Sequence, residues 1–121
     1  MIEQGWCGIW IEGSEAGGRA AEVCAEPIRE GRLKIVQALA TVDNINRLLD
    51  TAGVPDRIDF LSLDIDYNGT RVWIALQRKC RLGCIEYNAS LPPSLDLAAP
   101  YDPARAWDGT RWFGGGSRHW S

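Results

Sequence analysis

Residues 58–76 read IDFLSLDIDYNGTRVWIAL. The run from Ile58 is nearly continuously apolar until it meets Asp64 and Asp66, the pattern of a strand covered on both faces. Alternate residues of a strand share a face, so a strand persisting to residue 66 would bring the two carboxylates together. The following stretch, residues 70–80, places Val72, Trp73, Leu76 and Cys80 near one helical face and Arg71, Gln77, Arg78 and Lys79 mainly outside it. Strand, acidic end, then helix is the unit from which parallel α/β sheets are built.

The same unit recurs on either side. Gly8 to Glu12 is a short apolar strand stopped by an acid and Gly13. Residues 14–30, rich in Ala and Glu, suit a helix interrupted early and stopped around Pro27 to Gly31. Residues 33–40 read as a second strand, with a composition that also tolerates helix. In residues 41–50 the apolar positions 42, 45, 48 and 49 lie on one helical face, with Thr41 or Asp43 as the expected N-cap and Gly53 with Pro55 as the stop. Residues 82–88, LGCIEYN, give a fourth strand that again ends in polar groups. This alternation predicts an α/β domain with a mainly parallel sheet flanked by helices. The rest is proline- and aromatic-rich without sustained periodicity and reads as a wrapping loop.

Composition narrows the functional classes. At 121 residues the chain amounts to one domain, and 45% apolar with 24% charged residues is ordinary for a globular fold. A net charge of −3 and scattered basic residues give no electrostatic footprint for nucleic acid. No apolar run approaches the roughly 18 to 20 residues that cross a bilayer, and the N-terminal region lacks a signal-peptide pattern, so a cytoplasmic location and no membrane partner are expected. Cys80 and Cys84 are spaced C-x-x-x-C, while Cys7 and Cys24 form no second metal knuckle, so all four read as reduced, mostly structural thiols. His119 sits in the glycine-rich tail and reads as a solvent-exposed residue. Ser62 and Ser90 lack a nucleophile elbow and a nearby histidine, which argues against a serine hydrolase.

Open parallel sheets bind ligands beyond the carboxyl ends of their strands. Three predicted strands finish there in polar groups: Glu12; Asp64 with Asp66; and Glu86, Tyr87 and Asn88. Any single acid at such a place also serves as a cap for the following helix, but three coincident ends favour a binding rim. Glu12 suits a ribose, whose two hydroxyls a carboxylate can accept together. Asp64, Asp66 and Asn88 offer hard oxygen donors that would suit Mg²⁺, a weaker reading because an aspartate pair alone is a common motif.

Several stretches, taken in order, resemble a known family: GW-GIWIEG, NIN-LL--AGVP, IDFLSLDID-N---VW-AL, IEYNASLPP and YDP---WDGT-WFG. Together they cover most of residues 5–114 and are similar to uncharacterised proteins related to the FkbM-like branch of class I S-adenosylmethionine-dependent methyltransferases. LSLDID followed by IEYNAS is the most specific pair. The resemblance implies a partial Rossmann-like sheet and a cofactor, S-adenosyl-L-methionine. It places Glu12 at the cofactor ribose, Thr41 and Asp43 near the adenine, Asp64, Asp66 and Asn68 beside the transferred methyl group, and Glu86, Tyr87 and Asn88 along the acceptor side. The implied activity is methyl transfer to an oxygen or nitrogen of a small-molecule or glycan acceptor, with a carboxylate as general base.

The family's first strand and glycine-rich turn would precede GW-GIWIEG, and this chain begins only a few residues upstream of it. A methyltransferase-like domain over residues 1–114 without that first strand, followed by a flexible end at 115–121, is therefore expected. The competing expectations are a non-catalytic α/β interaction module that pairs with another copy through exposed sheet edges, and a metal-dependent enzyme built on Asp64 and Asp66.

Overall fold

The computed structural model describes residues 4–86 and 100–104. Eight elements follow in the order β1 (Gly8–Glu12), α1 (Ala16–Val23), α2 (Ala25–Arg29), β2 (Leu33–Gln37), α3 (Ile45–Ala52), β3 (Arg57–Leu63), α4 (Gly69–Ala75) and β4 (Lys79–Ile85). β1 pairs with β2 in parallel, Gly8 opposite Leu33 and Glu12 opposite Gln37. β3 pairs with β4 in parallel, Arg57 opposite Lys79 and Leu63 opposite Ile85. The protein is thus α/β, with two small parallel sheets, each of two strands, flanked by helices. No helix among the described residues is long and apolar enough to cross a membrane.

The described residues group into two units. The first comprises those up to residue 40 together with Arg47–Val54, and the second Thr41–Asn46 together with those from residue 55 onward.

In the first unit, α1 and α2 form the crossover between β1 and β2. They break at Cys24, whose φ of −100° and ψ of 24° leave the helical region. Pro27 lies in the first turn of α2, where its missing N–H removes no intrahelical bond. α2 ends at Arg29 with Glu30 as its C-cap, and Gly31 follows at φ +73°, a left-handed conformation that glycine adopts without a Cβ penalty. α3 ends the same way, with Gly53 at φ +82° and its N–H donating to Asp50 O at 3.0 Å. Leu33 and Leu49 are buried here.

In the second unit the buried side chains are Ile45, Leu63, Tyr67, Asn68 and Val72, and Val72 is fully enclosed. The ring of Trp73 lies over Gly83. A Cβ built on that glycine would stand 3.1 Å from Trp73 Cη2, so α4 packs onto β4 at a position without a side chain.

Several sequence expectations are corrected. The fourth strand runs over Lys79–Ile85 rather than 82–88. The single helix expected over residues 14–30 is two helices with Pro27 inside the second, and the one mainly parallel sheet is two sheets of two strands. The second strand ends at Gln37, not at residue 40. α3 begins at Ile45, so residues 42–44 form a turn, and neither Thr41 nor Asp43 stands at the helix boundary. β3 stops at Leu63 rather than running to residue 66, and its exposure alternates, with Asp59 and Ser62 exposed and only Leu63 buried. α4 stops at Ala75, and Cys80, expected on its face, belongs to β4. Leu76, at ψ 126°, is already extended. Seven residues of β3 recruit a seven-residue parallel partner, and that pairing draws Lys79 and Cys80 out of the helical pattern.

Candidate functional site

The strand ends carry the chemistry. Leu63 and Ile85 are the last paired residues of β3 and β4, and the ladder extends by one further bond, from Glu86 N to Leu63 O at 2.9 Å. Asp64 and Glu86 therefore emerge side by side at the carboxyl ends of two adjacent parallel strands. Their carboxyl groups lie close enough for a side-chain hydrogen bond between them to act on Glu86. That bond, the Asp64 charge, slight desolvation and the Asp66 charge, in falling order, raise the Glu86 carboxyl above its usual range. Asp66 is raised as well, first by burial and then by the charge of Asp64. These three carboxyls form one interacting cluster although Asp64 and Asp66 lie past the end of the strand.

A tight turn sets Asp66. Asn68 N donates to Asp66 O at 2.6 Å and Gly69 N to Ile65 O at 3.1 Å, reversing the chain from β3 into α4. Tyr67, between them, is buried with φ at +60°. A non-glycine residue in the left-handed region costs about 1–2 kcal/mol, so burial of the Tyr67 ring has to offset it. Asn68 is 6% exposed, its Nδ2 donates to Asp102 O at 2.8 Å, and its buried Oδ1 has no hydrogen-bond partner among the described residues. The side chain that the resemblance sets beside the methyl group is therefore held inside the protein.

The other candidate residues of this unit lie at the 41–44 turn. Thr41 N donates to Asn44 Oδ1 at 2.8 Å, Asn44 N returns to Thr41 O at 3.3 Å, and Asp43 is exposed. Val42 N donates to Tyr101 Oη at 3.2 Å. Tyr87 and Asn88 lie outside the described residues. Among the described residues, no group of three or more His, Cys, Asp or Glu side chains could hold a metal ion.

In the first unit Glu12 closes β1. Its Oε1 accepts from Ser14 N and from Ser14 Oγ, both at 2.8 Å, which ties the carboxylate to the loop leading into α1. Gln37, opposite Glu12 in register, donates from Nε2 to Glu12 O at 2.9 Å and to Ser14 O at 2.6 Å. Gly17 makes room for that amide, since a Cβ there would stand 2.1 Å from Gln37 Oε1. Sequence reasoning assigned no role to Ser14 or Gln37. The polar end of β2 was the available signal, because Gln37 closes an apolar strand opposite Glu12.

The raised carboxyls make stability depend on pH. Folded Asp66 and Glu86 hold protons more tightly than the unfolded chain does. Their contribution is therefore most favourable below ordinary carboxylate values and weakens as pH climbs through the raised ones. Glu86→Gln, which mimics the protonated form, should raise the melting temperature at about pH 7 and leave it unchanged at about pH 3. Glu86 is largely in solvent, so the gain is a few tenths of a kcal/mol, at the weak end of surface electrostatics. Equal shifts at both pH values would show that the cluster does not couple to folding.

Comparison with known proteins returns no matching family model, no matching curated protein and no matching solved structure.

Proposed function

We propose that this chain is a methyltransferase-like α/β domain of the S-adenosylmethionine-dependent, FkbM-like type, and that the carboxylate cluster of its second unit faces the methyl acceptor. The observation that supports this most is the adjacent emergence of Asp64 and Glu86 at the carboxyl ends of two parallel strands, the rim where sheets of this class take ligands. The cofactor, when bound, supplies an activated methyl group on a sulfonium sulfur. With the cofactor bound, Asp66 would be the residue that takes the proton of the acceptor hydroxyl or amine. A carboxyl raised by burial is better matched to that task than an ordinary aspartate. The Asp64–Glu86 pair offers acceptor atoms that orient the hydroxyls or amine of a small molecule or glycan. Thr41 and Asp43 take the adenine side in this reading, as the resemblance implies.

Glu12 is the residue assigned to the cofactor ribose. Its Oε1 already receives two Ser14 donors, so the ribose hydroxyls fit only as Ser14 shares or yields that oxygen. Glu12→Ala should weaken binding of S-adenosylmethionine by about 10- to 100-fold, the usual effect of losing hydrogen bonds to a charged group. Unchanged affinity in calorimetry, with the fold intact by circular dichroism, would remove Glu12 from the site.

A second reading is supported by apolar exposure. Ile74 is 68% and Leu82 61% exposed, and both belong to the second unit. In that reading the domain is a non-catalytic module that covers these side chains with a partner, a second copy included.

A further inference from the structure

Two asparagine amides brace the second unit, and they differ in one respect. Asn46, in the first turn of α3, is satisfied on both sides: Nδ2 donates to Ala75 O at 2.8 Å and Oδ1 accepts from Gln77 N at 2.9 Å. Asn68 is satisfied on one side only, through Nδ2 to Asp102 O, while Oδ1 is buried without a partner among the described residues. The amide cannot be turned around, because a carbonyl oxygen such as Asp102 O accepts only from the nitrogen. One residue before Asp102, Tyr101 Oη accepts from Val42 N. Adjacent residues of the 100–104 segment thus hold two turns that are distant in sequence, 41–44 and 66–68. The segment is also braced locally, by Ala104 N donating to Asp102 Oδ1 at 3.0 Å.

We propose that residues 100–104 are a releasable latch joining the 41–44 turn to the turn that carries Asp66, with Tyr101 and Asn68 as its positioning residues. Asn46 is the permanent brace of the same unit. The latch is the weaker of the two, because its closed state leaves a buried acceptor unmet, and opening lets water or a ligand donor reach that oxygen. Its release loosens the turn two residues from Asp66, so the state of the latch sets the geometry of the carboxylate cluster. This holds whether or not methyl transfer is the activity.

Amide hydrogen exchange on the intact chain, resolved by NMR, tests the latch. Val42 reports the Tyr101 end and Gln77 reports the Asn46 brace. In Asn68→Ala, Val42 should exchange roughly three- to tenfold faster, as expected for a local opening eased by one hydrogen bond, with Gln77 unchanged. In Tyr101→Phe, which removes one oxygen and keeps the ring, the Asn68 side-chain amide protons should move toward free-amide chemical shifts. That variant decides the matter alone if Asn68→Ala does not fold. The latch is overturned if Val42 exchange is untouched by Asn68→Ala, if Val42 and Gln77 accelerate by the same factor, or if the Asn68 amide shifts ignore Tyr101→Phe.

Discussion

Replacing Asp66 by Asn is expected to lower methyl transfer by about 100- to 10,000-fold, the range for losing a positioned general base. Asn keeps the volume and the polar contacts of the side chain but cannot take a proton. The effect should therefore appear in kcat measured with saturating cofactor and acceptor, with cofactor affinity nearly unchanged. Burial and the Asp64 charge together raise the Asp66 carboxyl. The wild-type rate should accordingly rise with pH through a limb set above ordinary aspartate values, and that limb should vanish in Asp66→Asn. A variant that retains the wild-type rate and pH profile would place the base elsewhere in the cluster, and Glu86→Gln would then be the next comparison.

Leu63→Ala should destabilise the second unit by about 2–5 kcal/mol, the range for truncating a buried leucine. Leu63 is the one buried residue of β3 and pairs with Ile85 at the end of the ladder, directly before Asp64. Its loss should also disturb the carboxylate cluster. Leu82→Ala is the matched control on the neighbouring strand. At 61% exposure it should change stability by no more than about 0.5 kcal/mol. Urea unfolding measures both. If Leu82→Ala proves as costly as Leu63→Ala, Leu82 is covered in solution, which would favour the interaction-module reading over an open surface.

The parts of the fold that local chemistry dictates were legible in the sequence. GIWIE followed by Gly13 predicts β1 and its acidic end, and the glycines after α2 and α3 predict where those helices stop, because their left-handed φ values suit no other residue as well. The parallel α/β arrangement followed from the alternation of elements. What failed had non-local causes. Val72, Trp73, Leu76 and Cys80 share a helical spacing, yet the helix yields at Leu76, because β3 takes a partner as long as itself and Trp73 lies over Gly83. Spacing along one segment contains no information about a partner strand twenty residues away.

The candidate site divides the same way. Acids at strand ends could be read directly, and Asp64 with Glu86 emerge together as expected of adjacent parallel strands. Strand alternation would pair Asp64 with Asp66 only in a strand that persists to residue 66, and β3 does not. The strand ends before Asp64, and a turn with Tyr67 at positive φ, not strand alternation, sets Asp66 near its neighbour. Asn68, which the resemblance sets beside the transferred methyl group, is buried and held by Asp102, a contact with a residue 34 positions away. Ser14 and Gln37, which fix Glu12, were invisible for a related reason. The Gln37 contact exists only once β1 and β2 are in register.

Use of S-adenosylmethionine by this domain is open to a direct test, calorimetric titration of the intact chain with S-adenosylhomocysteine. The demethylated product keeps the ribose and adenine and undergoes no reaction, so binding is read without turnover. A cofactor-binding domain should give a saturable isotherm that weakens in Glu12→Ala. The absence of saturable heat up to about millimolar ligand, where even a weak site of roughly 4 kcal/mol would be half filled, would contradict it.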